Sequence, residues 1–191
     1  MKASLIDSME KIIALSEEEN QFVQSVFKQK NCNKGDFFLR AGQVCKEVGF
    51  IQQGLVRYFI NNEGEEMIYD FGSEGNFVCN YESFLDRSPS NKNIQYVENT
   101  VLLSVSFDNL QLFYNKVSGG EKFGRIICEH IFVDAIRKIT SLYTHQPAQR
   151  YLDFAASYPD LQQRIPQYYV SSFVGVKPQS LSRIRKRLAT S

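Results

Sequence analysis

Residues 170–188 read VSSFVGVKPQSLSRIRKRL, two short helical patterns on either side of one glycine. Val170, Phe173 and Val174 recur at helical spacing and predict an inward face. Gly175, with no Cβ, can take the left-handed backbone that a tight turn needs, and Val176 is expected to pack under both helices. Pro178 suits the first position of the second helix. At about 100° per residue Leu181, Ile184 and Leu188 share one face, while Gln179, Arg183 and Lys186 share the opposite one. Ser180 and Arg187 flank that outer face. An apolar inner stripe with Gln, Ser and Arg outward is what a helix needs to enter a DNA major groove and reach base edges. The pattern therefore predicts a helix-turn-helix.

Charge supports this reading. The whole chain carries a formal net charge of +1. After Asp160, however, there is no acidic residue, while Arg164, Lys177, Arg183, Arg185, Lys186 and Arg187 are six cations. Residues 1–160 hold 16 basic and 21 acidic groups. A polyanion would be drawn to one end of the chain only. The plainer reading is a basic helix that is merely solvated, and the coincidence of Gly175, the apolar spacing and the missing acids argues against it.

Just upstream, Pro147–Ser157, a stretch near Asp160–Arg164 and Gln167–Val174 read as short helices. Before them, residues 120–143 show a 3.6 period: Phe123, Ile126, Ile127, Ile131 and Phe132 lead into Ala135, Ile136, Ile139, Leu142 and Tyr143. That stripe is wider than one packing face requires. It predicts a long helix packed on its own β-domain along one side and on a second copy along the other, in place of a helix that is simply well buried.

From about Asn31 to Asp108 the signal is short apolar runs broken by Gly and polar turn pairs: GDFFLRAG, VGFIQQG, LVRYFINNEG, EEMIYDFGSEG, NIQYVENT, VLLSVSF. Runs of this length and spacing predict a β-sandwich or barrel. Asn62-Glu63-Gly64 reads as the hairpin turn between Leu55–Ile60 and Glu66–Phe71. Ser16-Glu17-Glu18-Glu19 opens an amphipathic helix with a capping box, carrying Phe22, Val23, Val26 and Phe27 on one side.

Composition excludes other classes. Hydrophobic residues make up 43% and charged residues 23% of 191, the profile of a folded protein. No run of eighteen apolar residues occurs and the first residues do not form a secretion signal, so no membrane partner and a cytoplasmic location are expected. Cys32, Cys45, Cys79 and Cys128 are far apart with only His130 and His145 to join them, which predicts reduced core thiols and no metal site. A metal-dependent jelly-roll enzyme needs two or three His inside the barrel, whereas His130 and His145 both lie beyond the β-region, and a histidine base for a Ser or Cys nucleophile is not read from the sequence, so an enzyme is not expected.

The order β-domain, long helix, helix-turn-helix, with the stretches KGDFFLRAGQ, VGFIQQGLVRYF and NNEGEEMIYDFGSEGNFV, resembles the Crp/Fnr family of bacterial transcription regulators over about residues 10–190. Gly35, Gly42, Gly54, Gly64 and Gly75 fall where that family's β-roll turns. The resemblance implies an α+β fold: a cyclic-nucleotide-binding-like jelly roll over 1–119, a dimerisation helix over 120–143 and a helix-turn-helix domain over 144–191. It implies a homodimer on double-stranded DNA, with RNA polymerase and a small-molecule effector as further candidate partners. Gln179, Ser180 and Arg183 match the family's base-contacting positions, and Lys177, Arg185, Lys186 and Arg187 would grip the backbone.

Two departures follow. Cyclic AMP-binding members hold the cyclic phosphate with a short helix N-terminus and an Arg-Ser pair, and the ribose with a Glu. Here Cys79 and Asn80 stand at the Gly and Glu positions, and the Arg-Ser positions fall at about Ser90 and Asn91. Glu82 comes two residues late and Arg87-Ser88 about three out of register. The ligand set expected from this stretch is Asn80, Glu82, Ser83, Arg87 and Ser88, with cyclic AMP disfavoured and the effector unknown or lost. The sequence also stops three residues after Leu188, where the family continues into a wing, so a wingless domain is expected. The alternative is a small-molecule-binding protein with a degenerate DNA-binding domain.

Overall fold

The computed structural model describes residues 4–189. Two units emerge: Met1–Phe59 with Phe71–Glu129, and Ile60–Asp70 with His130–Ser191.

In the first unit, α1 (Leu5–Glu10) and α2 (Glu17–Val26) precede eight strands. Ser16 caps α2 in a full capping box with Glu19, and Glu19 also accepts the Ser118 N–H at 2.5 Å. These bonds hold the Glu19 carboxyl below the usual carboxylate range. The strands are β1 (Lys28–Cys32), β2 (Phe37–Leu39), β3 (Glu47–Gln53), β4 (Val56–Asn62), β5 (Glu65–Gly72), β6 (Phe77–Val78), β7 (Asn93–Tyr96) and β8 (Thr100–Ser106). They form two four-stranded sheets, β1-β8-β3-β6 and β2-β7-β4-β5, whose characterised pairs are antiparallel. The sequence runs quoted above correspond to β2, β3, β4, β5, β7 and β8. The α+β class and the roll of antiparallel sheets followed by a helical region are as expected.

Apolar residues of both sheets meet in one core with Met9, Val23, Phe84 and Phe113. Phe50, Ile51, Leu55 and Leu102 are fully enclosed. Phe77, Phe113 and Phe123 stack edge to face at 6.0–6.1 Å between centroids, so the first turns of α5 (Gly120–Thr144) belong to this core.

Three helices were not anticipated. α1 is nucleated by Ser4, which caps Asp7, and buries Met9. α3 (Tyr81–Asp86) is six residues long and has no side-chain cap. α4 (Phe107–Lys116), capped by Ser106, buries Leu110 and Phe113, so Phe107 begins a helix instead of ending a strand. The β4–β5 turn is shorter than expected: Glu63 and Gly64 both have positive φ, 52° and 88°, as a two-residue type I′ turn requires.

In the second unit, α6 (Pro147–Ser157), α7 (Leu161–Arg164), α8 (Gln167–Val174) and α9 (Pro178–Ala189) follow the last part of α5. Their core is Tyr151, Phe154, Leu161, Ile165, Val170, Val174 and Leu181, with Phe173 against Phe154 and Tyr158 at 5.3 and 5.8 Å. The hairpin tip also belongs to this unit. Ser172 accepts the Ile68 N–H at 2.9 Å and donates to the Glu66 carbonyl at 3.0 Å. Asp70 accepts from Lys138 and Tyr158, each at 2.6 Å.

Candidate nucleic-acid interface and effector site

The turn between α8 and α9 is built by Gly175, whose φ and ψ of 74° and 42° are left-handed. Its N–H reaches the Ser172 carbonyl and the Val176 N–H reaches that of Ser171 at 2.9 Å, the paired bonds of a Schellman ending. Arg150 braces the same point, donating from Nε to the Val174 carbonyl at 2.8 Å and from Nη1 to the His145 carbonyl at 2.9 Å. Leu181 is 1% exposed and anchors α9 from below.

With that anchor set, Lys177, Gln179, Ser180, Arg183, Arg185, Lys186 and Arg187 are all exposed. The inner stripe is shorter than expected: Ile184 and Val176 are only partly covered, and Leu188 is 36% exposed. Leu188 lies in the last turn of α9. Along α5, Ile131, Phe132, Ile136, Ile139, Leu142 and Tyr143 are exposed, from 47% for Ile136 to 87% for Tyr143. An isolated apolar side chain on a surface is ordinary, but a continuous row of this kind marks an interaction face.

In the roll, the five residues expected around an effector divide into two groups. Asn80, Ser83 and the Ser88 backbone converge. Asn80, 6% exposed, donates to the Ser90 hydroxyl at 2.6 Å, and Ser90 donates to the Lys92 carbonyl at 2.9 Å. Ser83, 1% exposed, donates to the Ser88 carbonyl at 2.5 Å and accepts the Cys45 N–H at 2.9 Å. Glu82 and Arg87 lie apart from this cluster. Glu82 is exposed and pairs with Lys92 at 2.9 Å, which holds its carboxyl below the usual range. Arg87 closes α3 in a left-handed conformation, lies 4.1 Å over the Phe107 ring and is 3.8 Å from Asp108.

Sequence reasoning missed two further members of this region. Asn93, 6% exposed, accepts the Ala41 N–H at 3.0 Å through Oδ1, while its Nδ2 is buried without a hydrogen-bond partner. The Cys45 and Cys79 sulfurs stand 3.8 Å apart, an approach that their separation in sequence conceals. Among the described residues no group of three or more His, Cys, Asp or Glu could hold a metal ion, and no helix is long and apolar enough to cross a membrane.

Residues 29–116 match the family of cyclic nucleotide-binding domains. No curated protein matches the sequence. Among solved structures, the chain is similar to the c-di-GMP responsive global regulator CLP of Xanthomonas campestris, with 14% identity, 92% of each chain covered and a TM-score of 0.69. A crp/fnr family protein of Eubacterium rectale, described as a transcriptional regulator, gives 11% identity, 92% of this chain and 84% of that one, and a TM-score of 0.70. The catabolite activator protein of Thermus thermophilus gives 18% identity, 93% and 85% coverage and a TM-score of 0.58.

Proposed function

We propose that this chain, with a cyclic nucleotide-binding-type domain at residues 29–116 and the fold of Crp/Fnr regulators, is a transcription regulator that binds double-stranded DNA as a homodimer. The observation that carries the reading is α9, where every basic or hydrogen-bonding side chain from Lys177 to Arg187 is exposed on a helix held by one buried leucine. Gln179, Ser180 and Arg183 read base edges; Lys177, Arg185, Lys186 and Arg187 hold phosphates. The exposed apolar row of α5 from Ile131 to Tyr143 meets its counterpart in a second copy. A two-fold dimer then reads two half-sites about one helical turn apart.

The head of α3 disfavours cyclic AMP as its effector. A cyclic phosphate needs free donors or a cation to replace its water. The hydroxyls and amide at the head of α3 instead satisfy one another, and the Arg87 guanidinium is engaged with Phe107 and Asp108.

Selection of binding sites from random duplex DNA, followed by affinity measurement over a range of salt, tests the reading. Enrichment of a two-fold symmetric site, with affinity falling steeply as salt rises, supports it. Arg183→Ala should weaken the selected site by about 1–3 kcal/mol and relax preference at one base position. Failure to enrich any site, or binding indifferent to salt, would overturn it and favour a ligand-binding module with a degenerate DNA-binding domain.

A further inference from the structure

The head of α3 carries a chemistry distinct from ligand binding. The Cys45 and Cys79 sulfurs face each other at 3.8 Å in the reduced chain. A disulfide bond is about 2.0 Å long, so roughly 2 Å of travel joins them, within the reach of side-chain rotation. The other two thiols face tyrosine hydroxyls: Cys32 that of Tyr96, and Cys128 that of Tyr81.

We propose that Cys45 and Cys79 are a redox-active pair that hydrogen peroxide converts to an intramolecular disulfide within the roll. The two sulfurs have different environments and therefore different roles. Cys45, 2% exposed, donates to the Glu47 carbonyl at 3.4 Å as a thiol. As a thiolate it is held by the Cys79 S–H, 3.8 Å away, and by the Asn80 backbone N–H, which outweigh its burial and the adjacent Glu47 carboxylate and bring the thiol down to about 7. Donation to Cys45, burial and the neighbouring Cys128 push Cys79 up, so it keeps its proton. Cys45 is the nucleophile and Cys79, which is partly exposed, resolves.

The Cys45 thiolate attacks one peroxide oxygen, the O–O bond breaks and hydroxide leaves, giving a sulfenic acid. The Cys79 sulfur then attacks Sγ of Cys45, the S–O bond breaks, and the departing oxygen leaves as water with the Cys79 proton. Two thiols lose two electrons, and one peroxide becomes two waters. The bond ties the loop at Cys45 to the short link between β6 and α3. Because the Cys45 N–H is held by Ser83, which also holds the Ser88 carbonyl, the tie acts on the whole segment from Tyr81 to Ser90.

The redox pair works independently of DNA binding, and no DNA enters its test. The full chain with Cys32→Ser and Cys128→Ser is reduced, freed of reductant, treated with a small excess of hydrogen peroxide and mapped by mass spectrometry without reduction. The expected product is one linked peptide joining Cys45 to Cys79, with both free thiols lost together and the rate rising as pH passes through about 7. Cys79→Ser should accumulate a dimedone-trapped sulfenic acid at Cys45. The wild-type chain, mapped alongside, keeps the test decisive if the variants fold poorly. Survival of both thiols while free cysteine in the same tube is oxidised, or a Cys79–Cys128 link in the wild-type chain, would overturn the proposal.

Discussion

The head of α3 in the roll and the outer face of α9 both carry a dense set of polar side chains, yet they are built in opposite ways. At α3, Asn80, Ser83 and Ser90 are at most 6% exposed and bond to one another or to nearby backbone. On α9, Gln179, Ser180, Arg183, Lys186 and Arg187 are exposed over a single deep anchor. Buried polar groups must find partners inside the protein, because each one left unpaired costs about 1–3 kcal/mol. Exposed ones keep access to water and can turn to a further partner. The first cluster therefore stabilises the fold and the second is available for recognition, so substitutions should separate stability from binding between them.

The largest expected effect is at the anchor. Leu181→Ala should cost about 2–5 kcal/mol in denaturant unfolding, whereas Leu188→Ala on the same predicted face should stay within about 0.5 kcal/mol. Equal losses would mean that the inner stripe extends to the end of α9. Next comes the α3 cluster. Ser83→Ala leaves both the Cys45 N–H and the Ser88 carbonyl without this partner and should lower stability by about 1–3 kcal/mol. Arg183→Ala should leave the unfolding midpoint essentially unchanged while reducing DNA affinity. A stability loss from Arg183→Ala, or none from Ser83→Ala, would erase the contrast.

A smaller effect is expected at the turn. A Cβ on Gly175 would meet only Arg150 Nη2 at 3.6 Å, so the site has room for it. The left-handed backbone remains, at a cost of roughly 1–2 kcal/mol to Gly175→Ala. Gly175→Asn, which tolerates that region better, should recover part of the loss in the same unfolding experiment.

Much of this architecture was readable from local signals. Pro147, Pro178 and Gly175 marked helix ends because each acts through its own backbone, and the Ser16–Glu19 box because its side chains bond to backbone within the same turn. β1 was not readable: Lys28–Cys32 is mostly exposed and lacks alternation, and it becomes a strand only by pairing with β8, Lys28 against Ser104. α3 was hidden because six residues without a side-chain cap carry little periodicity. In the candidate effector region, residue types and approximate register pointed to the stretch from Cys79 to Asn91. They could not show that Glu82 and Arg87 stand outside the cluster, or that pairing of β3 with β6 helps bring Cys79 to Cys45. Such placements depend on contacts between distant parts of the chain.

The smallest expected effect separates the two regions by pH. In the second unit Asp153 accepts from Gln149 at 3.0 Å and from Ser141 at 2.9 Å, and lies 2.7 Å from His145 Nδ1. Partial burial pushes its carboxyl up, but the bonds from Gln149, His145 and Ser141 outweigh that and hold it below the ordinary value. A carboxyl lowered on folding adds stability above its unfolded value, about 3.9, and loses it as pH falls through the folded value. Because the side chain is 36% exposed, solvent screening limits the contribution to under about 1 kcal/mol. Asp153→Asn should therefore lower the unfolding midpoint at pH 7, and the gap to wild type should narrow near pH 3. The Asn80, Ser83 and Ser90 side chains carry no carboxylate, so the deficit of Ser83→Ala should not narrow as pH falls through the carboxylate range from about pH 5 to pH 3. A gap for Asp153→Asn that stays constant with pH would show that its carboxylate is not held by the folded structure.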